Sequence, residues 1–222
     1  MLVQFHDFNG ADALVAQKYQ QEWAELEQAL KAMPLHLKAS DEYGIQGSPI
    51  FDPIGTNQAI MDALAPLQWQ VKVPILAPFK VMGKDVDFAK HGVLVEVQFS
   101  NYPFLINNVL RSEMFHKAQT VFHQHPTGVL IIVTKAKIFP ASQSTLYFEQ
   151  AKSHLDELAA LKSFNVPLRL VSLSVNAPSQ VHAMWTQYSA DRHSRTIANQ
   201  GLRSFNISAP SARGGRSAIT PI

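Results

Sequence analysis

The run Val93-Leu94-Val95-Glu96-Val97-Gln98-Phe99 alternates strictly between side-chain types, a pattern that suits an extended strand and little else. Successive side chains of a strand leave opposite faces, so Val93, Val95, Val97 and Phe99 share one face while Leu94, Glu96 and Gln98 share the other. A carboxylate and an amide therefore stand side by side. Asp85 and Asp87 lie shortly before this run, and a hairpin returning through Asp87 would set a second carboxylate beside Glu96. Such an oxygen-rich corner suits a hard divalent cation. Many half-buried strands also carry a polar face simply where they meet water. The aliphatic residues on both sides of Glu96 favour a strand near the core, and the polar, aromatic turn Phe99-Ser100-Asn101-Tyr102-Pro103 lies at a strand end, where sites of open α/β sheets gather.

Around this strand, Val15, Tyr19, Trp23, Leu26, Leu30 and Met33 recur at helical steps and predict one amphipathic helix ending before Pro34. A short helix is expected around Gln58 to Leu64. A long one follows the turn at Asn101 to Pro103, burying Ile106, Leu110, Met114, Ala118 and Val121. The aliphatic run Val129 to Val133 reads as a central strand covered on both faces. A third helix is expected from about Ser144 to Leu161 and another strand from Leu168 to Val175. This order predicts an α/β protein in which a mixed sheet carries helices on its faces.

The chain has 222 residues, of which 46% are hydrophobic, enough for one domain with a substantial core. No apolar run approaches the roughly 20 residues of a membrane span, and Met1 to Asp7 lacks the basic start and apolar stretch of a secretory signal. The cytoplasm is the expected compartment. With no cysteine there is no disulfide, thiolate zinc site or cysteine nucleophile, so a metal must be held by oxygen or imidazole. The net charge of +2 is small but uneven: Arg192, Arg195, Arg203, Arg213 and Arg216 all follow Asp191, the last acidic residue. A basic C-terminal region is a candidate phosphate-contacting surface, although for Arg213 and Arg216, set among Ser, Gly and Pro, a solvated tail is the simpler expectation. Residues from about 199 to 222 are accordingly expected to be a peripheral basic tail of the single domain.

Other chemistry finds less support. His123 and His125 stand one residue apart, in a polar loop before Pro126 with no evident third ligand. Ser142 and Ser144 lack a GxSxG elbow, and neither GxxxxGK[ST] nor GxGxxG occurs. Asp41 and Asp52 precede turn-rich sequence, where capping explains them well.

Longer passages carry more information than any of these patterns. They are Met33-Pro34-Leu35-His36, Lys38-Ala39-Ser40-Asp41, Ile50-Phe51-Asp52-Pro53, Gly55-Thr56-Asn57-Gln58, Asp87-Phe88, the unbroken run Leu94 to Leu105, Arg111-Ser112-Glu113, Phe139-Pro140-Ala141-Ser142, Glu149-Gln150-Ala151 and Ser194-Arg195-Thr196-Ile197. Together they resemble the type II restriction endonucleases of the PD-(D/E)xK superfamily, over nearly the whole chain.

The resemblance implies a restriction-endonuclease-like α/β core with a small additional β-rich subdomain. It places the Mg²⁺ site on Asp87 and Glu96 with the Val97 carbonyl as a further ligand, and Gln98 stands where most relatives carry lysine. In that reading Glu96 holds or polarises a metal-bound water and Gln98 helps orient the attacking water. Lys72 occupies a position that carries asparagine in the pattern. Ser100 and Asn101 match residues that read the central bases, Gln143 and Ser144 match a second base-contacting loop, and Arg195 matches a DNA-contacting arginine. The implied protein is a homodimer that cuts both strands of a palindrome with a GATC core, AGATCT being favoured, and leaves 5′ overhangs. A separate host-protecting DNA methyltransferase is implied, without physical association. Two alternatives are a less specific metal-dependent nuclease and a sequence-specific DNA-binding protein that has lost catalysis.

Overall fold

The computed structural model describes residues 1–141, 146–189 and 195–222. In chain order the elements are β1 (Leu2–Phe8), α1 (Ala11–Lys18), α2 (Gln20–Ala32), β2 (Leu35–Ala39), β3 (Pro49–Phe51), α3 (Pro53–Leu64), β4 (Gln70–Pro74), β5 (Asp85–Lys90) and β6 (Val93–Val97). They continue with α4 (Pro103–Lys117), β7 (Val121–Phe122), β8 (His125–Pro126), β9 (Val129–Lys135), α5 (Phe148–Ala160), β10 (Leu168–Ser174), β11 (Ser179–Tyr188), β12 (Ile197–Ile207) and β13 (Ile219–Pro221).

A six-stranded mixed sheet, in the order β1-β10-β9-β6-β5-β4, forms the centre. Strands β6, β9 and β10 run parallel and the outer strands antiparallel. Every residue of β9 is buried, as its unbroken aliphatic run requires of a strand covered on both faces. Alternate side chains feed two apolar clusters: Val129, Ile131 and Val133 meet α1, α2 and α3, whereas Leu130 and Ile132 meet α4 and α5. Truncating Leu26 or Leu30, both fully buried in the first cluster, would cost about 2–5 kcal/mol each.

A second sheet, β13-β12-β11-β2-β3, packs against the first cluster through Leu37, Phe51, Trp185 and Phe205. This is the additional β-rich part, and it corrects the expectation of a basic tail. Residues 197–207 form β12, which pairs with β11 along its length, and Ile219–Pro221 close the edge as β13. Arg216 lies over the Tyr147 ring, 5.3 Å from its centre, and is not loose. The Ser, Gly and Pro residues there serve turns between strands whose alternating pattern is diluted by polar residues on the exposed face.

Two helices also differ from expectation. The first predicted helix is interrupted at Tyr19 (φ −122°, ψ 28°), whose fully packed ring sits against Gly128, so that α1 and α2 meet at an angle on one buried stripe. In α4 the buried face is not the predicted one. Leu110 and Met114 are exposed, while Leu105, Asn108, Val109, Arg111 and Ser112 face the sheet. Apolar spacing misleads here because the inward face of α4 carries the polar groups of the site.

Candidate active site

The hairpin of β5 and β6 fixes the two acidic residues. His91 and Gly92 both take positive φ (48° and 95°), which gives a two-residue turn whose twist matches the flanking strands. A Cβ on Gly92 would lie 2.7 Å from the Pro126 carbonyl oxygen, so the turn has room for glycine alone. The resulting register pairs Lys90 with Val93, Ala89 with Leu94 and Phe88 with Val95. One step further sets Asp87 across from Glu96.

At that step the strands part and a side chain replaces the ladder bond. The Val97 N–H donates to Asp87 Oδ2 at 2.8 Å, while the Gln98 N–H donates to the Val133 carbonyl on the opposite edge. Because a strand residue presents its N–H and its carbonyl to the same edge, the Val97 carbonyl faces the Asp87 side. The Asp87 carboxylate thus sits against the Val97 edge, one residue beyond Glu96 on β6.

Their environments differ. Asp87 is partly exposed and, with Val97, lines a cavity of about 450 Å³ between the two sheets. Glu96 is 3% exposed and does not line that cavity; it lies behind it and pairs with the Arg111 guanidinium from α4. Burial pushes the Glu96 carboxyl up to about 8, with Asp87 and Asp85 adding to the effect and Arg111 opposing it. Burial also raises Asp87, against the Val97 hydrogen bond and the positive charges of Arg111 and Lys72. Burial thus outweighs the positive charges near both carboxyls, and a cation bound beside them would favour their ionised forms. Among the described residues no group of three or more His, Asp or Glu side chains that could hold a metal ion converges.

Gln98 follows Glu96 by two residues. Its Nε2 donates to Ser100 Oγ at 3.2 Å, and Asn108 Nδ2 of α4 reaches its Oε1 at 3.5 Å. Lys135, on the neighbouring strand β9, lies among Phe51, Phe99 and Tyr147 on the opposite face from Gln98. Lys72, exposed with φ 49°, lies across β4 and β5 from Asp87 and lines the same cavity.

Ser100 and Asn101 are exposed between β6 and α4, with the Ser100 carbonyl held by the Leu146 N–H and the Asn101 carbonyl by the Phe104 N–H. Arg195 is brought to the cavity opposite Asp87, together with Tyr188 and Gln200. Gln143 and Ser144 lie outside the described residues. His123 and Gln124 are the positive-φ tip of the β7–β8 hairpin, and His125 packs on the His91 ring at 5.1 Å.

Three residues of the site were given no role from the sequence. Arg111 and Asn108, three apart on α4, are found by asking which polar residues share a helix face. His36 lines the cavity with both ring nitrogens buried and unpartnered among the described residues, and burial lowers its pKa. Asp52 caps α3 through the Ile54 N–H at 3.1 Å, as its position before Pro53 suggests, and it also accepts from the Tyr188 hydroxyl at 2.7 Å.

A mixed sheet flanked by helices, with two carboxylates on a central hairpin and a second sheet across the cleft, defines a restriction-endonuclease fold. The sequence matches the family described as Restriction endonuclease BglII/BglIII over residues 3–173. It is 46% identical over 200 residues to the Type II restriction enzyme BglII of Bacillus subtilis, covering 90% of this chain and 88% of that protein. The crystal structure of BglII complexed with a DNA 16-mer superposes with a TM-score of 0.95 at 43% identity, and that of free BglII with 0.78 at 40%, each covering the whole of both chains. The chain belongs to the BglII/BglIII family of restriction endonucleases and is a type II site-specific deoxyribonuclease.

Proposed function

We propose that this enzyme, acting as one restriction-endonuclease-like domain per subunit, hydrolyses both strands of double-stranded DNA at a palindrome with a GATC core. AGATCT is the favoured target, leaving 5′ overhangs. The observation that supports the reading is Asp87 bonded to the Val97 N–H at the cavity wall, with the buried Glu96 one residue before Val97 and Arg195 lining the same cavity.

Asp87, Glu96 and the Val97 carbonyl would hold Mg²⁺, which when bound supplies an acidified water and screens charge on the phosphate. Asp87 orients the Val97 edge through its hydrogen bond, and Glu96, once ionised, accepts a proton from the attacking water or holds it in line. Arg111 keeps the Glu96 carboxylate in one rotamer. Glutamine neither ionises nor accepts a proton at ordinary pH, so Gln98 positions water and does not act as a base. Ser100 and Asn101, with Gln143 and Ser144, would read base edges, and Arg195 would contact the DNA backbone.

A homodimer fits a palindromic target, two-fold symmetry of the protein matching that of the sequence. Leu110 and Met114, one turn apart on α4, are exposed apolar side chains that such a partner would cover. No helix of the described residues is long and apolar enough to cross a membrane, and the enzyme would act in the bacterial cytoplasm beside a separate DNA methyltransferase that protects the host. Digestion of a DNA of known sequence with Mg²⁺, followed by sequencing of the fragment ends, tests the assignment. Ends confined to AGATCT support it; cuts at unrelated sequences or at irregular structures would replace it with a less specific nuclease.

A further inference from the structure

Lys135 closes β9 with its side chain 1% exposed, among the largest fully buried side chains of the described residues. Its Nζ donates to the Phe99 carbonyl at 2.6 Å and to the Leu146 carbonyl at 3.0 Å. The rings of Tyr147, Phe51 and Phe99 surround it, with centres 4.9, 5.6 and 5.9 Å away. Burying an ammonium is costly, and the positive charge of Arg216 nearby adds to that cost. Carbonyl oxygens and ring faces offset part of it, the pKa still falling to about 7, and the amino group can donate to both carbonyls whether or not it carries the extra proton.

What those carbonyls belong to gives the lysine a role. Phe99 immediately precedes Ser100 and Asn101, and the Ser100 carbonyl in turn accepts from the Leu146 N–H at 3.1 Å. The amino group is therefore the common anchor of two segments that arrive from different parts of the chain. One leaves the strand that carries Glu96; the other leads into α5. An apolar side chain of similar volume would fill the space without fixing either carbonyl.

We propose that Lys135 is a positioning residue for sequence discrimination, its amino group clamping the Phe99–Ser100 strand end to Leu146 so that Ser100 and Asn101 meet the bases in one fixed geometry. The proposal rests on the reading of Ser100 and Asn101 as base contacts given above. Lys135 touches no DNA itself. Loosening the clamp lets wrong bases be accommodated while the acidic hairpin is untouched, so the ratio of cognate to near-cognate cleavage falls more than the rate of cleavage.

The test compares Lys135→Met and Asn101→Ala with the unaltered enzyme in Mg²⁺. It measures kcat and KM on a duplex carrying AGATCT and on duplexes altered at one central base pair, with folding checked by circular dichroism. Lys135→Met is expected to lower the discrimination ratio by about tenfold or more, the scale of one well-made base contact. A lowered melting temperature with an unchanged ratio would overturn the proposal and make Lys135 a structural plug. If Asn101→Ala reduces discrimination and Lys135→Met does not, only the clamp fails; if Asn101→Ala leaves discrimination unchanged, the base-contact reading itself fails. Should Lys135→Met not fold, Lys135→Gln, which keeps a shorter donor, takes its place, with an intermediate ratio expected and an unchanged one overturning the proposal.

Discussion

The carboxylate of Asp87 accepts the Val97 N–H at 2.8 Å, so one candidate metal ligand holds in place the strand that bears the others. Asp87→Asn keeps an oxygen acceptor, whereas Asp87→Ala leaves the Val97 N–H without a partner. Denaturant unfolding is expected to show a loss of about 1–3 kcal/mol for the alanine variant and less for asparagine. Equal losses would mean that the bond does not support the hairpin.

The Glu96 carboxyl is raised by burial to about 8, so if it holds the metal, metal binding and activity are expected to depend on pH. Its protonated form is favoured in the metal-free fold. The stability this group contributes is therefore full below the ordinary carboxylate range near 4.5 and is lost as pH rises through about 8. Ca²⁺ affinity, by contrast, rises with pH, by up to about tenfold per unit below 8, because the cation competes with the proton. Glu96→Gln should flatten this dependence, as titration calorimetry at several pH values would show.

Glu113 behaves in the opposite sense. Burial pushes its carboxyl up, but hydrogen bonds from Lys117, from the Asn165 N–H and side chain and from the Val166 N–H outweigh it and hold it down to about 2. Here the contributed stability is present above about 4.5 and is lost as pH falls through about 2. Glu113→Gln should destabilise the enzyme by about 1.5–3 kcal/mol at neutral pH, and the gap to the unaltered protein should close progressively on acidification. Urea unfolding at neutral and acidic pH checks both parts.

Arg195 supplies a positive charge across the cavity from Asp87. If it contacts a phosphate, Arg195→Ala weakens binding to cognate and unrelated DNA alike and lowers the slope of log affinity against log salt by about one. A change confined to one base position would instead make it a base-reading residue.

Much of the site was legible because it depends on strand periodicity. The alternation from Val93 to Phe99 fixes which side chains share a face, and a two-residue turn at His91 and Gly92 then suffices to set Asp87 across from Glu96. Cross-sheet partners were not legible in the same way. Arg111 meets Glu96 only because α4 turns its polar side inward, which leaves Leu110 and Met114 in solvent and inverts the usual inference from apolar spacing. Strands β11 and β12 escaped notice for a related reason. A sheet packed on one face and edged by polar residues carries a weak pattern, and β12 in particular is largely exposed. Lys135 shows the same limit: a lysine at the end of an aliphatic strand reads as a solvent-facing terminus until the rings of Phe51, Phe99 and Tyr147 are seen to close over it.

The most direct measurement compares DNA binding in Ca²⁺ with cleavage in Mg²⁺ for Asp87→Ala on a single duplex containing AGATCT. The account predicts affinity within about tenfold of the unaltered enzyme and cleavage slower by about a thousandfold, the loss expected when several kcal/mol of metal-borne charge stabilisation is removed. Affinity lost in step with cleavage, or cleavage that persists without the Asp87 carboxylate, would contradict it.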